Sequence, residues 1–195
     1  MAINLFFKTL LTLMILGGVF SCDNNGDKVS GTITFFDRRD SQDYTAVKIG
    51  DRWWMAENLN YRSDTGSWYV NNDSASYASV FGRMYDWNTA MNAAPPGWHV
   101  PSKSEWDSLL ARYDSDSAAY AYLTRTGLSD FKAQFGGYRD GGGNFKYAYH
   151  YGPYWTSTEY NPEEACYAFF NKSVKTVTME YYSKVRGFYI RCVRD

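Results

Sequence analysis

The sequence is poor in the residues that carry most recognisable chemistry. It has three cysteines, two histidines and five prolines in 195 residues. No CxxC pair occurs, and only His99 and His150 supply imidazoles, so a zinc site of ordinary spacing is excluded and no metal or cofactor is expected. There is no nucleophile elbow, Walker loop, zincin helix or Rossmann glycine pattern. Gly141-Gly142-Gly143 lacks the following Lys-Ser/Thr that would cradle a phosphate, so it reads as a turn. Lys and Arg number 20 against 21 Asp and Glu, without a basic run, which speaks against nucleic acid as a partner. The longest apolar run, 9–20, falls short of the about 20 apolar residues that a membrane-spanning helix needs.

What is abundant is aromatic: 7 Trp, 18 Tyr and 12 Phe. Such residues favour strands and interior packing, and they also form sugar- or protein-contacting surfaces. The length suits one domain with a real core.

Lys8 followed by the apolar run reads as a signal peptide over residues 1–21. Val19-Phe20-Ser21-Cys22 resembles a bacterial lipobox, so Cys22 is expected as the first mature residue, carrying acyl chains. Each buried CH₂ contributes about 0.8 kcal/mol, and several chains therefore anchor a protein durably in a membrane. Residues 22–29 are short, polar and Gly-containing, a flexible tether ahead of a domain spanning 30–195. Acidic residues directly after Cys22 resemble the export signals of surface lipoproteins in Bacteroidetes-type bacteria, so an outer-membrane, surface-exposed address is expected. Outside the cytoplasm, Cys166 and Cys192 are expected to form a disulfide; the alternative is two buried thiols.

The strongest local pattern is Tyr44 to Tyr61. Gly50-Asp51 between two apolar runs predicts a type II′ hairpin turn, with Ile49 opposite Arg52 and Val47 opposite Trp54. Thr45, Val47, Trp54 and Ala56 then share the core face, and Lys48 and Glu57 the other. An earlier strand is expected over 29–36, a loop over 61–76 and a helix over 80–92. Ser102-Lys-Ser-Glu105 is a capping box that starts a helix over 103–113, and a second helix is expected from Ser115 to Thr124, ending near Gly127. Strands are expected at 131–138, 145–151, 154–157, 165–171, 174–182 and 188–193, the last ones forming an antiparallel meander. The class is α+β.

Several motifs occur in order: Ala56-Glu57-Asn58-Leu59, Gly82-Arg-Met-Tyr-Asp-Trp87, Pro96-Gly-Trp-His-Val-Pro101, Gly136-Gly-Tyr-Arg139, Tyr154-Trp-Thr-Ser-Thr-Glu159 and Gly187-Phe-Tyr-Ile-Arg-Cys-Val193. Together they resemble the Fibrobacter succinogenes major paralogous domain over about residues 37–194. That resemblance implies a fold related to the C-type lectin and formylglycine-generating-enzyme group: a hairpin, two or three helices, then an antiparallel sheet. Members often carry a cysteine ahead of the Pro-x-Gly-Trp-His run. Here Ala93-Ala94-Pro95 stands in its place, which leaves Cys166 as the mature partner of Cys192.

The chemistry that remains is recognition. Glu57 and Asn58 read as a pair that fixes a loop by hydrogen bonds, and His99 reads as structural. Formylglycine-generating enzymes use closely spaced cysteines, unlike Cys166 and Cys192. Asn161, Glu163 and Glu164 could offer oxygens to Ca²⁺, though Tyr160-Asn-Pro-Glu-Glu164 reads first as a turn. The expectation is a binding or adhesion module for a glycan or surface protein. Its contacts would be Trp155, Tyr160, Asn161, Tyr167, Phe169, Asn171 and Tyr182, on the outward face of the late meander, with Thr178 and Glu180 beside them. The alternatives are an enzyme with an unrecognised, glycan-active site, which would show converging carboxylates in a cleft, and a structural envelope protein.

Overall fold

The structure is a computed structural model that describes residues 31–124 and 129–195. The expected leader (1–21), Cys22, the tether (22–29) and Gly127 lie outside the described residues.

The fold starts on the hairpin. Strands β1 (Thr32–Asp37), β2 (Gln42–Ile49) and β3 (Arg52–Met55) run antiparallel, with Ile49 paired to Arg52 and Val47 to Trp54. Gly50 has φ +60 while Asp51 stays outside the left-handed region, the backbone signature of a type II′ turn. Alternation along β2 and β3 puts Val47, Ile49, Trp54 and Ala56 into one core and Tyr44, Ala46 and Met55 into another. The hairpin is therefore buried on both faces. One apolar face was expected, and the aromatic excess supplies a second.

The stretch 61–92 departs from the expectation of a loop followed by one helix. Strand β4 (Ser67–Trp68) pairs with β5 (Met84–Tyr85). Between them lie a 3₁₀ turn (Val70–Asn72) and helix α1 (Ser74–Phe81), capped by the Asp73 side chain. Gly82 ends α1 at φ +65, where a Cβ would lie 3.0 Å from the carbonyl oxygens of Asn58 and Leu59. Asp86 then caps a new short helix, α2 (Trp87–Ala90). The helical spacing of apolar residues over 80–92 thus spans two helix ends and a strand.

Strand β6 (Trp98–His99) leads into α3 (Lys103–Leu110), which opens on the expected capping box: Ser102 Oγ accepts from the Glu105 N–H, and the Ser102 N–H donates to Glu105. Helix α4 (Asp116–Thr124) follows. The expected strand over 131–138 is instead irregular up to β7 (Tyr138–Arg139), which pairs with β8 (Phe145–Lys146). The irregular piece is held from outside: Tyr154 Oη accepts from the Gln134 N–H and donates to its carbonyl.

Strands β9 (Tyr151–Glu159), β10 (Glu164–Asn171) and β11 (Thr176–Ser183) form an antiparallel meander, in which β10 and β11 are the expected members and β9 stands where 188–193 was expected. The chain's last segment makes one parallel bridge to them, Tyr189 to Tyr154, but does not continue as a further strand of the meander. Strand β12 (Val193–Arg194) inserts between β3 and β6 in the hairpin's sheet, giving the order β1-β2-β3-β12-β6. On its way, Tyr189 and Val193 enter the first core, and Phe188, Ile190 and Cys192 the second. The architecture is mixed α and β, mostly antiparallel, with two aromatic cores. Among the described residues, no helix is long and apolar enough to cross a membrane.

The cysteines correct the expected disulfide: both are buried and free. Cys166 lies on β10 near Thr156, Lys103 and Asp107, on the side covered by α3. Cys192 faces the second core, near Asp37, Arg39 and Asp195. Each is buried in a different neighbourhood, so no bridge joins them.

Candidate ligand-binding cleft

The outward face of the late meander carries the site. Residues at odd positions of β9 and β10 and even positions of β11 share this face, since Tyr167 pairs with both Trp155 and Glu180. Tyr167, Phe169 and Tyr182 come together there with Tyr138, Tyr151 and Arg186, enclosing a hollow of about 170 Å³ over Pro153 and Phe188. The rings support one another. Tyr151 meets Phe169 edge-on at 5.0 Å between centroids, Phe169 meets Tyr167 at 5.9 Å, and Tyr167 meets Phe188 at 4.7 Å.

Arg186 closes one end. Its guanidinium lies 4.0 Å from the Tyr182 ring centroid and 5.1 Å from that of Tyr138, and it donates to Tyr182 Oη at 3.0 Å. The turn that places it is fixed by antiparallel pairing of Gly187 with Arg139, whose Cβ leaves little room at the glycine. Burial pushes the Tyr167 phenol up, and the Glu180 carboxylate adds to this, against the opposing pull of Arg186. Tyr167 is therefore a protonated hydroxyl at neutral pH. It has no hydrogen-bond partner among the described residues, and neither have the hydroxyls of Tyr138 and Tyr151.

Other expected contact residues lie elsewhere. Trp155 is 0% exposed: it sits beneath the cleft against Phe188 at 4.3 Å and donates its indole N–H to the Tyr85 carbonyl. It is a core residue, covered by the terminal segment. Tyr160 is 61% exposed but stacks on Tyr181, on the opposite face of the meander. Asn161 forms an Asx turn, its Oδ1 accepting from the N–H groups of Glu163 and Glu164. The carbonyls of Asn161 and Pro162 accept from the Lys184 ammonium, which also pairs with Glu159. A lysine therefore supplies the positive charge in this turn, and no cluster of metal-ligating side chains forms among the described residues. Asn171 caps the β10–β11 turn by accepting from the Ser173 N–H.

Sequence reading missed Tyr138, Tyr151, Pro153, Arg186 and Phe188 as lining. Extending the strand that begins at Tyr154 back to Tyr151 puts Tyr151 and Pro153 in the alternation with Trp155, a legible signal. Arg186 lies in a turn and leaves no periodic trace.

A larger hollow of about 470 Å³ lies beside the hairpin turn, with Arg52, Glu105, Arg112 and Asp195 in its wall. Glu105 is engaged there by Arg52 and His99 at 3.0 Å each, and His99 also holds Asp195 at 2.6 Å. The contacts among Arg52, His99, Glu105 and Asp195 clamp α3 to the sheet.

A family model, the Fibrobacter succinogenes major domain, matches residues 47–194. The chain belongs to this family. The match runs from the hairpin to β12 and so includes every residue that lines the cleft. No curated protein and no solved structure matches the chain.

Proposed function

We propose that the chain is an extracellular binding module, anchored in the bacterial envelope by acyl chains on Cys22, that captures a glycan in the Tyr138–Arg186 cleft. The observation that carries this reading is the cleft itself. It combines flat aromatic walls with three tyrosine hydroxyls that lack partners among the described residues, a pairing of stacking and hydrogen-bonding groups suited to a sugar ring. Water occupies about 30 Å³ per molecule, so 170 Å³ fits one ring rather than a drug-sized ligand. The same size argues against a protein hot spot, which needs a wider buried patch around it. Arg186 is the one charged residue in the lining, with Glu180 at the margin, and this arrangement favours binding over acid–base hydrolysis by two carboxylates. The order of hairpin, helices and late antiparallel sheet supports the C-type lectin-like grouping.

The test is a glycan array probed with the full chain in mild detergent. Tyr182→Ala, at a residue 41% exposed, is expected to weaken capture about tenfold with an unchanged unfolding midpoint. Trp155→Ala is expected to cost about 3–5 kcal/mol of stability instead. Capture that survives Tyr182→Ala in full, or no capture of any glycan, overturns the reading.

A further inference from the structure

We infer that the ring selected by this cleft carries a carboxylate: a uronic acid or similar acidic sugar, held by Arg186. The inference rests on the cleft reading and deepens it. Arg186 is half-buried, and no Asp or Glu pairs with it among the described residues. Arg39 and Arg52 have carboxylate partners at 2.7 and 3.0 Å, whereas Arg186, like Arg83 and Arg139, packs on an aromatic ring instead. The side chain of Arg186 makes one hydrogen bond, to Tyr182 Oη, and two ring contacts. Those contacts hold the guanidinium plane in place and use one of its five N–H donors. The remaining donors have no acceptor among the described residues. A pre-oriented, unpaired guanidinium beside a ring-sized hollow is complementary to a planar carboxylate, which it meets through two parallel hydrogen bonds.

Glu180 borders the same cleft and acts on the Tyr167 hydroxyl ahead of Arg186, but it makes no ion pair with Arg186 among the described residues. It is exposed and accepts from Thr178 Oγ1 at 3.0 Å on its own strand. Arg139, whose backbone pairs with Gly187, is not among the residues that line the cleft. Selection therefore falls to Arg186 alone. The aromatic walls and the hydroxyl of Tyr167 set the ring's plane.

The experiment titrates the full chain in mild detergent with oligogalacturonate and with the same oligomer fully methyl-esterified, which keeps the rings and removes the charge. The acid is expected to bind about tenfold more tightly than the ester, as one charge-assisted hydrogen-bonded contact provides. Arg186→Gln should bring the acid-to-ester affinity ratio to about one, and Arg186→Lys should retain part of the preference. Unfolding midpoints of both variants establish that they fold. Equal affinity for acid and ester overturns this inference and leaves the cleft reading standing. A preference that survives Arg186→Gln overturns it as well. So does equal competition by polyglutamate of matched charge, which would make charge alone the determinant. Binding of neither probe also overturns it, with the glycan array then deciding the cleft reading separately.

Discussion

Arg191 Nε donates to Asn58 Oδ1 at 2.8 Å, joining residues 133 positions apart deep inside the molecule. The other guanidinium nitrogens donate to the carbonyls of Phe131 and Lys132, and Asn58 Nδ2 donates to the Phe81 carbonyl at 2.9 Å. Arg191 is fully buried with no carboxylate partner among the described residues, and burial lowers its pKa. Carbonyl dipoles and the faces of Phe131 and Tyr154 take the place of a counter-ion. Arg191 and Asn58 together tie the loop after the hairpin, the end of α1, the irregular 131–137 stretch and the terminal segment.

Arg191→Met should therefore destabilise the domain by about 3 kcal/mol or more, because it strands several buried acceptors at once. Asn58→Ala should cost less, about 1–3 kcal/mol. In a double-mutant cycle by urea unfolding, the two losses should fall short of adding. Strict additivity would mean that the pair is not coupled.

The clamp at α3 gives a pH dependence. Burial disfavours a charged His99, but hydrogen bonds with Asp195 and Glu105 outweigh it and raise the imidazole above its ordinary 6.5. Burial likewise opposes ionisation of Glu105, and the Ser102 N–H and His99 outweigh it, holding that carboxyl below 4.5. A raised imidazole pKa gives stability that is complete below 6.5 and lost as pH rises through the folded value. A depressed carboxyl pKa gives stability present above 4.5 and lost as pH falls through the folded value. The cluster thus contributes most between 4.5 and 6.5. The thermal midpoint should decline as pH rises from 6.5, and His99→Gln should flatten that decline; parallel curves for the two proteins would rule the clamp out.

The thiols make a chemical prediction. Burial pushes both upward, Cys192 well beyond the ordinary thiol range, so neither is a reactive thiolate at neutral pH. Native protein should resist iodoacetamide at both positions. In denaturant without reductant, peptide mass analysis should find Cys166 and Cys192 each alkylated. Recovery of a linked peptide pair would contradict the free state.

Local chemistry was readable from the chain. The hairpin register follows from Gly50-Asp51, because a type II′ turn admits one alignment of the flanking strands. The capping box at Ser102 and Glu105 needs three residues and no tertiary partner. Alternation in β10 and β11 brought Tyr167, Phe169 and Tyr182 to one face. The break at Gly82 was harder to read, since apolar residues kept helical spacing on both sides of it.

By itself, then, the sequence determined the hairpin turn, the capping box at Ser102, the long strands β2, β10 and β11 and the family, since each rests on residues close together in the chain or on motifs in order. Tertiary structure alone decided which side of the aromatic excess faces solvent. The meander alternates whether or not something covers it. The segment 187–193 packs Phe188 onto that face, which buries Trp155 and leaves Tyr182 open. The same packing seats Arg191 among distant carbonyls, aims Arg186 into the cleft and turns the two cysteines into separate neighbourhoods, because burial is a property of what comes together in space and not of sequence period.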